Sequence, residues 1–397
     1  MIFSSKAEQI SPSITLAIDA KAKKMKADGL DVIGFGAGEP DFNTPENIQD
    51  AAITAIKKGY TKYTAASGIK ELKDAIADKF KNDNGLSYEP SQIIISTGAK
   101  QCLANAFQAI LNPGDEVIIP VPYWVSYPEL VKLADGVPVF VDTTEENNFK
   151  YTIEELNRAI TDKSKAIIIN SPNNPTGTVY TKDELTLIAE FAKKNDLVII
   201  SDEIYEKLIY DGESHFSIAS LSEDAYNRTI VINGMSKSYA MTGWRIGYAA
   251  CGNEKLVKLM SNIQSHVTSN PNSIAQYASV EALKGNQDAI ASMISEFKKR
   301  RDYMVERILK MQHVSCLKPN GAFYVMINIS KLLNKVYEGE SIKTSLRFSE
   351  LLLDKEKVAV IPGSAFGVDN YIRLSYATSM KNIEEGLNRI ENFLNSL

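Results

Sequence analysis

The sequence predicts a doubly wound α/β domain on a mainly parallel sheet, joined to a second, smaller α+β domain. Three observations predict it. Between residues 44 and 284, short apolar runs bounded by turn residues alternate with longer amphipathic segments. Several runs are apolar at consecutive positions, as in strands buried on both faces of a sheet. After Gly285 the alternation gives way to one long helical pattern and then mixed strands and helices. The 397 residues suffice for two domains at roughly 100–200 residues each. The expected division is 44–284 for the large domain, with 1–43 plus 285–397 forming the smaller unit.

Thr44-Pro45 reads as a helix start, with Thr44 as N-cap, proline at the first helical position and Gly59 closing the helix. Strands are expected at Ile93–Ser96, Glu116–Pro120, Val137–Val141, Ala166–Ile169, Leu197–Ser201, Thr229–Asn233 and Ile246–Ala250. Thr152-x-x-Glu155 and Thr181-x-x-Glu184 read as capping boxes opening intervening helices. Beyond Gly285, Ile290, Met293, Ile294, Phe297, Met304 and Ile308 are spaced for one helix face. The Lys298-Lys299-Arg300-Arg301 run within that helix reads as solvated. Strands at Phe323–Ile329, Val358–Ile361 and Tyr371–Ser375, a helix around Thr344–Lys355 and a C-terminal helix complete the expected small domain.

Composition excludes several functions. Apolar residues make up 44% and charged residues 23%, which is the balance of a globular protein and not of disorder or a coiled coil. A net charge of −5 with mixed signs carries no footprint for nucleic acid or an anionic membrane. Cys102, Cys251 and Cys316 are far apart and outside any CxxC spacing, so neither a disulfide framework nor a zinc site is expected, and a reducing cytoplasm is. The N-terminus lacks a basic start followed by an apolar run. The longest uncharged stretch, Leu259–Val280, is too rich in Ser, Asn, Gln and Pro for a membrane span.

In open α/β sheets ligands bind beyond the carboxyl ends of the strands. Thr97-Gly98-Ala99-Lys100 follows one strand and opens a helix, a place where free N–H groups favour an anion; such turns also serve packing alone. Asn170-Ser171-Pro172-Asn173-Asn174-Pro175-Thr176-Gly177 follows another, either as a rigid turn or to aim an amide at a ligand oxygen. Asp202, just past the apolar Val198-Ile199-Ile200, must be paired or hydrogen-bonded, and a helix N-cap is the plain alternative. The 25 residues Thr229–Asn253 hold two charges, Lys237 and Arg245, where average composition gives about six. Without a carboxylate nearby in sequence, burial of these cations requires a compensating charge from elsewhere, unless both snorkel to solvent. A phosphorylated aldehyde cofactor meets that need, with Arg245 on the phosphate and Lys237 as the imine-forming amine. Tyr123-Trp124 then offers an aromatic face, although such residues also pack in cores.

Ser236-Lys237-Ser238-Tyr239-Ala240-Met241-Thr242-Gly243-Trp244-Arg245-Ile246-Gly247-Tyr248 closely resembles the lysine signature of class I aminotransferases. Gly38-Glu39-Pro40-Asp41-Phe42, Asn173-Asn174-Pro175-Thr176-Gly177, Ser201-Asp202-Glu203-Ile204-Tyr205 and Tyr371-Ile372-Arg373-Leu374-Ser375 match in order, so the resemblance spans nearly the whole chain. Through Ser11-Pro12-Ser13 and Pro122-Tyr123-Trp124-Val125-Ser126-Tyr127-Pro128 it is most similar to the bacterial aspartate aminotransferase branch.

The resemblance implies the pyridoxal phosphate-dependent transferase fold of type I and pyridoxal 5'-phosphate as cofactor. It implies Lys237 as Schiff-base lysine and proton carrier, Asp202 on the pyridine nitrogen, and Asn174 and Tyr205 at the phenolic oxygen. Trp124 stacks on the ring. Gly98, Ala99, Ser236 and Arg245 hold the phosphate, with Lys100 beside them and Tyr63 reaching in across a homodimer interface. Arg373, with Asn174 and the Gly38 backbone, takes the substrate α-carboxylate as a planar two-point clamp. Lys100, Ser13 and Thr15 match the branch's distal-carboxylate site, since the stretch Gln264–Asn270 contains no arginine. The expected substrates are aspartate and glutamate with oxaloacetate and 2-oxoglutarate; no metal is expected. Competing expectations are an aromatic- or prephenate-active aminotransferase, a carbon–sulfur lyase of the same fold, and a cofactor-binding regulator lacking any basic DNA-binding stripe. A dinucleotide enzyme is disfavoured, because Gly34-Phe35-Gly36-Ala37-Gly38 lacks the GxGxxG spacing.

Overall fold

The computed structural model describes residues 3–397. Its main sheet has seven strands: β1 (Ile93–Ser96), β2 (Glu116–Val121), β3 (Val137–Asp142), β4 (Ser164–Asn170), β5 (Val198–Asp202), β6 (Thr229–Gly234) and β7 (Gly247–Ala250). Their order across the sheet is β1-β7-β6-β5-β4-β2-β3, with β7 antiparallel to both neighbours and the other pairings parallel. All seven expected runs are strands, with ends shifted by one or two residues. Ile167, Ile168, Ile199, Ile200, Ile230 and Val231 are fully buried, because helices cover both faces.

The direction of β7 matters for the site. Residues that follow a parallel strand and the residue that precedes an antiparallel one reach the same edge. Thr97, Asn170, Asp202 and the loop after β6 therefore converge with Arg245, which stands just before β7.

Both capping boxes form, at Thr152/Glu155 and Thr181/Glu184. Thr44 corrects the first helix. That helix, Glu46–Lys57, has Pro45 at its N-cap and no side-chain cap. The Thr44 hydroxyl instead donates to the Ala240 carbonyl and accepts from Trp244 Nε1. Gly59 does close the helix, in the left-handed region at φ +73°. Leu259–Val280 falls across two helices, Glu254–Val267 and Ser273–Lys284. Among the described residues no helix is long and apolar enough to cross a membrane.

The smaller sheet runs Ile361–Pro362, Tyr371–Ser375, Tyr324–Asn328, Ser315–Cys316, with antiparallel pairing throughout. Helices Asp288–Lys310, Ser345–Glu356 and Met380–Asn395 pack with it. Ile33–Gly34 pairs in parallel with Val358–Ala359, and Ala22 of helix Ile14–Ala27 packs with Leu353, which joins the N-terminal segment to this unit.

The basic run on helix Asp288–Lys310 departs from its expected exposure. Lys299 is solvated, but Arg300 and Arg301 are buried. Arg301 pairs with Asp211 and Asp302 at 2.8 and 2.6 Å and lies over the Tyr210 ring, while Arg300 pairs with Asp41 and Glu296. Buried guanidinium groups persist because every one of these contacts supplies charge or a π face.

Candidate active site

At the shared sheet edge lies a cleft of about 650 Å³, walled by the main sheet, the smaller unit and helix Ile14–Ala27. Lys237 projects into it from the loop after β6, and its Nζ donates to the Gly38 carbonyl. Burial, helped by Arg373 and Arg245, pulls this ammonium down to about 8, against the opposing influence of Glu39 and Asp202.

Asp202 ends β5 and is 4% exposed. No helix follows it, so it is not an N-cap. Its Oδ2 accepts from the Tyr127 hydroxyl at 2.7 Å and its Oδ1 from the Ile204 N–H at 3.3 Å. Burial pushes its carboxyl up to about 6, although Tyr127, the Ile204 amide and Lys237 all favour the anion.

Arg373 sits on strand Tyr371–Ser375, whose alternation sends Ile372 and Leu374 into the small-domain core and turns Arg373 the other way. It is 3% exposed. Its terminal nitrogens donate to Asn174 Oδ1 at 3.0 Å and to the Gly36 carbonyl at 2.9 Å, and Tyr324 and Phe366 lie against its face. Its Nε is buried with no partner. A buried, unpaired N–H on a charged group is costly, and it marks a place for an incoming acceptor.

Helix Ala99–Ile110 begins at Gly98, whose φ is +85°. A Cβ on Gly98 would collide with the Arg245 guanidinium, so glycine leaves the space between the helix N-terminus and that cation. Arg245, itself left-handed at φ +57°, donates to the Thr242 carbonyl at 2.8 Å. Its exposure corrects one premise: Arg245 is exposed and Lys237 is half-buried, and the acidic neighbours of Lys237, Glu39 and Asp202, come from other segments. Lys100 Nζ lies 4.9 Å over the Trp124 ring, and burial together with Arg245 lowers its proton affinity. Ser13 caps helix Ile14–Ala27 and shares a 2.8 Å hydrogen bond with Thr15.

The cleft thus brings together Lys237, Asp202, Tyr205, Ala99, Lys100, Trp124, Asn174, Ser236, Arg245, Gly38, Arg373, Ser13 and Thr15, with Gly98 behind its wall. Tyr63 lies outside it and is 91% exposed. Asn173 turns inward, its Oδ1 accepting from the Thr176 N–H and hydroxyl.

Sequence reasoning missed Tyr127, Asn170, Tyr324, Phe366 and Glu39. Asn170 ends an apolar strand as Asp202 does, a signal that was available; its Nδ2 donates to the Asp202 carbonyl at 2.9 Å and its Oδ1 accepts from the Asn174 N–H at 2.8 Å. Tyr127 and Tyr324 carry no such signal, because aromatic residues among apolar neighbours read as core. The Tyr324 hydroxyl meets that of Tyr205 at 2.9 Å.

A doubly wound fold with a half-buried lysine, a buried aspartate and an anion seat in one cleft defines a pyridoxal phosphate enzyme of the aminotransferase class. The chain matches the family model of class I and II aminotransferases over residues 30–390 and belongs to that family. It is 53% identical over 393 residues to the aspartate aminotransferase of Bacillus sp. (strain YM-2), covering 99% of both chains. It is 50% identical over 398 residues to a relative from Rickettsia typhi named probable aspartate/prephenate aminotransferase, with both chains fully covered. The crystal structure of the aspartate aminotransferase from Rhizobium meliloti superimposes with a TM-score of 0.96 at 44% identity over the whole of both chains.

The residues present fit pyridoxal phosphate. Arg245, packed against Gly98 at the N-terminus of helix Ala99–Ile110, sets a cation beside free backbone N–H groups, which suits a phosphate, and a buried carboxylate in the cleft suits a protonated ring nitrogen.

Proposed function

We propose that this aminotransferase exchanges the amino group of L-aspartate or L-glutamate with oxaloacetate or 2-oxoglutarate in ping-pong fashion. The observation that carries the proposal is Arg373, a buried guanidinium with an unpaired Nε, facing the same cleft as Lys237 and Asp202. A guanidinium so held receives an α-carboxylate in a fixed plane and orients the Cα–H bond. Lys100, Ser13 and Thr15 across the cleft supply the cation and hydroxyls for a second carboxylate.

When bound, pyridoxal phosphate supplies a carbonyl for imine exchange and a ring that delocalises the electron pair left at Cα. Ala99, Ser236, Arg245 and the Gly98 turn would hold its phosphate, Trp124 would pack against its ring, and Asn174 and Tyr205 would address its phenolic oxygen. Asp202, fixed by Tyr127, keeps the ring nitrogen protonated. Lys237 Nζ, lowered toward neutrality, would take up and return the proton at substrate Cα.

The division into 44–284 and 1–43 plus 285–397 places the cofactor residues on the first unit and Arg373, Ser13, Thr15 and Gly38 on the second. Exposed Ile53, Ile56, Tyr60 and Tyr63 support a homodimer in which Tyr63 reaches the partner's phosphate site. We place the protein in the cytoplasm, in keeping with three free, buried cysteines. Similarity to the Rickettsia typhi relative named probable aspartate/prephenate aminotransferase favours prephenate as a further acceptor.

The test is a panel of amino donors with 2-oxoglutarate, run beside the visible spectrum. Lys237→Ala should remove the cofactor's lysine-linked absorbance and lower turnover by at least ~10,000-fold, since both attachment and proton transfer are lost. Wild-type turnover in that variant refutes the lysine assignment. Pyruvate released without a keto-acid acceptor would make the enzyme a lyase.

A further inference from the structure

The segment Gly36–Thr44 runs along the Lys237 loop as a strap and is bonded to it repeatedly. Lys237 Nζ donates to the Gly38 carbonyl. Thr242 Oγ1 donates to Glu39 Oε2 at 2.7 Å. The Thr44 hydroxyl donates to the Ala240 carbonyl at 2.7 Å and accepts from Trp244 Nε1 at 2.9 Å. At its start, the Gly36 carbonyl accepts from Arg373. Behind it, Arg300 holds Asp41 and lies 5.1 Å from the Phe42 ring centre. One strap therefore touches both the lysine and the carboxylate-binding arginine. Of its two carboxylates, Asp41 is engaged by Arg300, and Glu39 faces the Lys237 loop.

We propose that Glu39, fastened by Thr242, is a positioning residue that holds the strap on the Lys237 loop and sets its carboxylate among the charged groups around the lysine nitrogen. The charged groups around that nitrogen come from four segments: Glu39 on the strap, Arg373 on strand Tyr371–Ser375, Arg245 on the lysine's own loop and Asp202 at the end of β5. The hydroxyls of Tyr205 and Tyr324, bonded to each other, complete the surroundings. Two arginines oppose a positive lysine and two carboxylates favour it. Asp202 also serves Tyr127 and the Ile204 amide, whereas the one side-chain bond of Glu39 among the described residues is to Thr242 on the lysine's own loop. Glu39 is also the strongest of the influences that hold the Lys237 proton in place. An exposed carboxylate without a tether is hydrated and screened, and the Thr242 hydroxyl supplies the tether.

The inference rests on the aminotransferase reading, and one experiment separates the two. Cofactor-loaded wild type, Glu39→Gln, Glu39→Asp and Thr242→Val are titrated by the visible absorbance band, and KM and kcat are measured for the amino donor. Glu39→Gln should lower the midpoint of the band by about 0.5–1 pH unit. Thr242→Val, which keeps the charge but cuts the tether, should lower it less and raise KM by ~3–10-fold, because the loosened strap no longer seats Arg373. Glu39→Asp should restore most of the midpoint. A wild type with no visible band sinks the aminotransferase reading and this inference with it. A wild-type band that titrates within about 0.2 unit in Glu39→Gln sinks the inference alone. Should Glu39→Gln not fold, Thr242→Val decides: an unchanged midpoint with an unchanged KM overturns the proposal.

Discussion

Asp202 is strained by its position, and the strain has a sign. An unfolded aspartate titrates near ~3.9, whereas burial pushes Asp202 up to about 6. The folded chain binds this proton more tightly than the unfolded chain. The stability it contributes is therefore present at low pH and is lost as pH rises through about 6. Asp202→Asn in the cofactor-free protein should raise stability by about 2–3 kcal/mol at pH 8 and change it little at pH 4. The Tyr127 hydroxyl can turn to accept from the new amide. Turnover should fall by at least ~100-fold, since a neutral amide cannot hold the ring proton electrostatically. Denaturant unfolding at both pH values, beside activity, checks this; a less stable Asn variant at pH 8 would mean the carboxylate is already satisfied. Lys100→Ala belongs to the same scale. It should raise KM for aspartate by ~10-fold or more and for an aromatic donor by under ~3-fold, because only aspartate needs a distal cation. Equal effects would assign Lys100 to phosphate binding or folding.

Among the elements, β5 and its continuation carry a buried ion network behind the cleft. Glu206 pairs with Lys79 of helix Lys70–Asn84, both side chains being 5% exposed, and accepts from Asn84 at 3.1 Å. Next to it Glu203 accepts from Ser201, Ser217 and His215. Burial opposes the Glu206 anion, but Lys79 and His215 more than offset it and hold the carboxyl at about 2. Its contribution to stability is present above the ordinary glutamate range and is lost as pH falls through about 2. Lys79→Met should cost about 3–5 kcal/mol by leaving a buried carboxylate unpaired, and adding Glu206→Leu should recover much of it. Chemical denaturation of the single and double variants reads this directly; equal stability of single variant and wild type would contradict it. Helix Asp288–Lys310 shows where pattern reading failed at this scale. Its apolar stripe is buried as spaced, yet Arg300 and Arg301 are buried too. Four adjacent cations look solvated in one dimension, and Asp41, Asp211 and Tyr210, brought from distant segments, complete the pairing of Arg300 and Arg301 that Glu296 and Asp302 begin.

At the scale of the whole molecule, the proposed homodimer makes its own prediction. Sedimentation should give about twice the 43.9 kDa chain mass, and Tyr63→Ala should weaken cofactor retention by ~10-fold as one charge-neutral phosphate contact is lost. A fully active monomer would remove Tyr63 from the site. Strand identities, both capping boxes and the lysine-bearing loop were legible in the chain, because each rests on neighbours within a few residues. The roles of Tyr127, Tyr324 and Glu39 were not, since each acquires a partner from a segment tens to hundreds of residues away. By itself the sequence determined the α/β class and the positions of the seven strands along the chain, because local periodicity suffices for these, and its resemblance to class I aminotransferases singled out Lys237, Asp202 and Arg373. Only the tertiary structure decided that β7 runs against its neighbours and so delivers Arg245 to the cleft, that Thr44 ties loops instead of capping a helix, and that the 36–44 strap bridges Lys237 and Arg373. Those outcomes depend on long-range packing and burial, which act between residues that the chain alone does not place together.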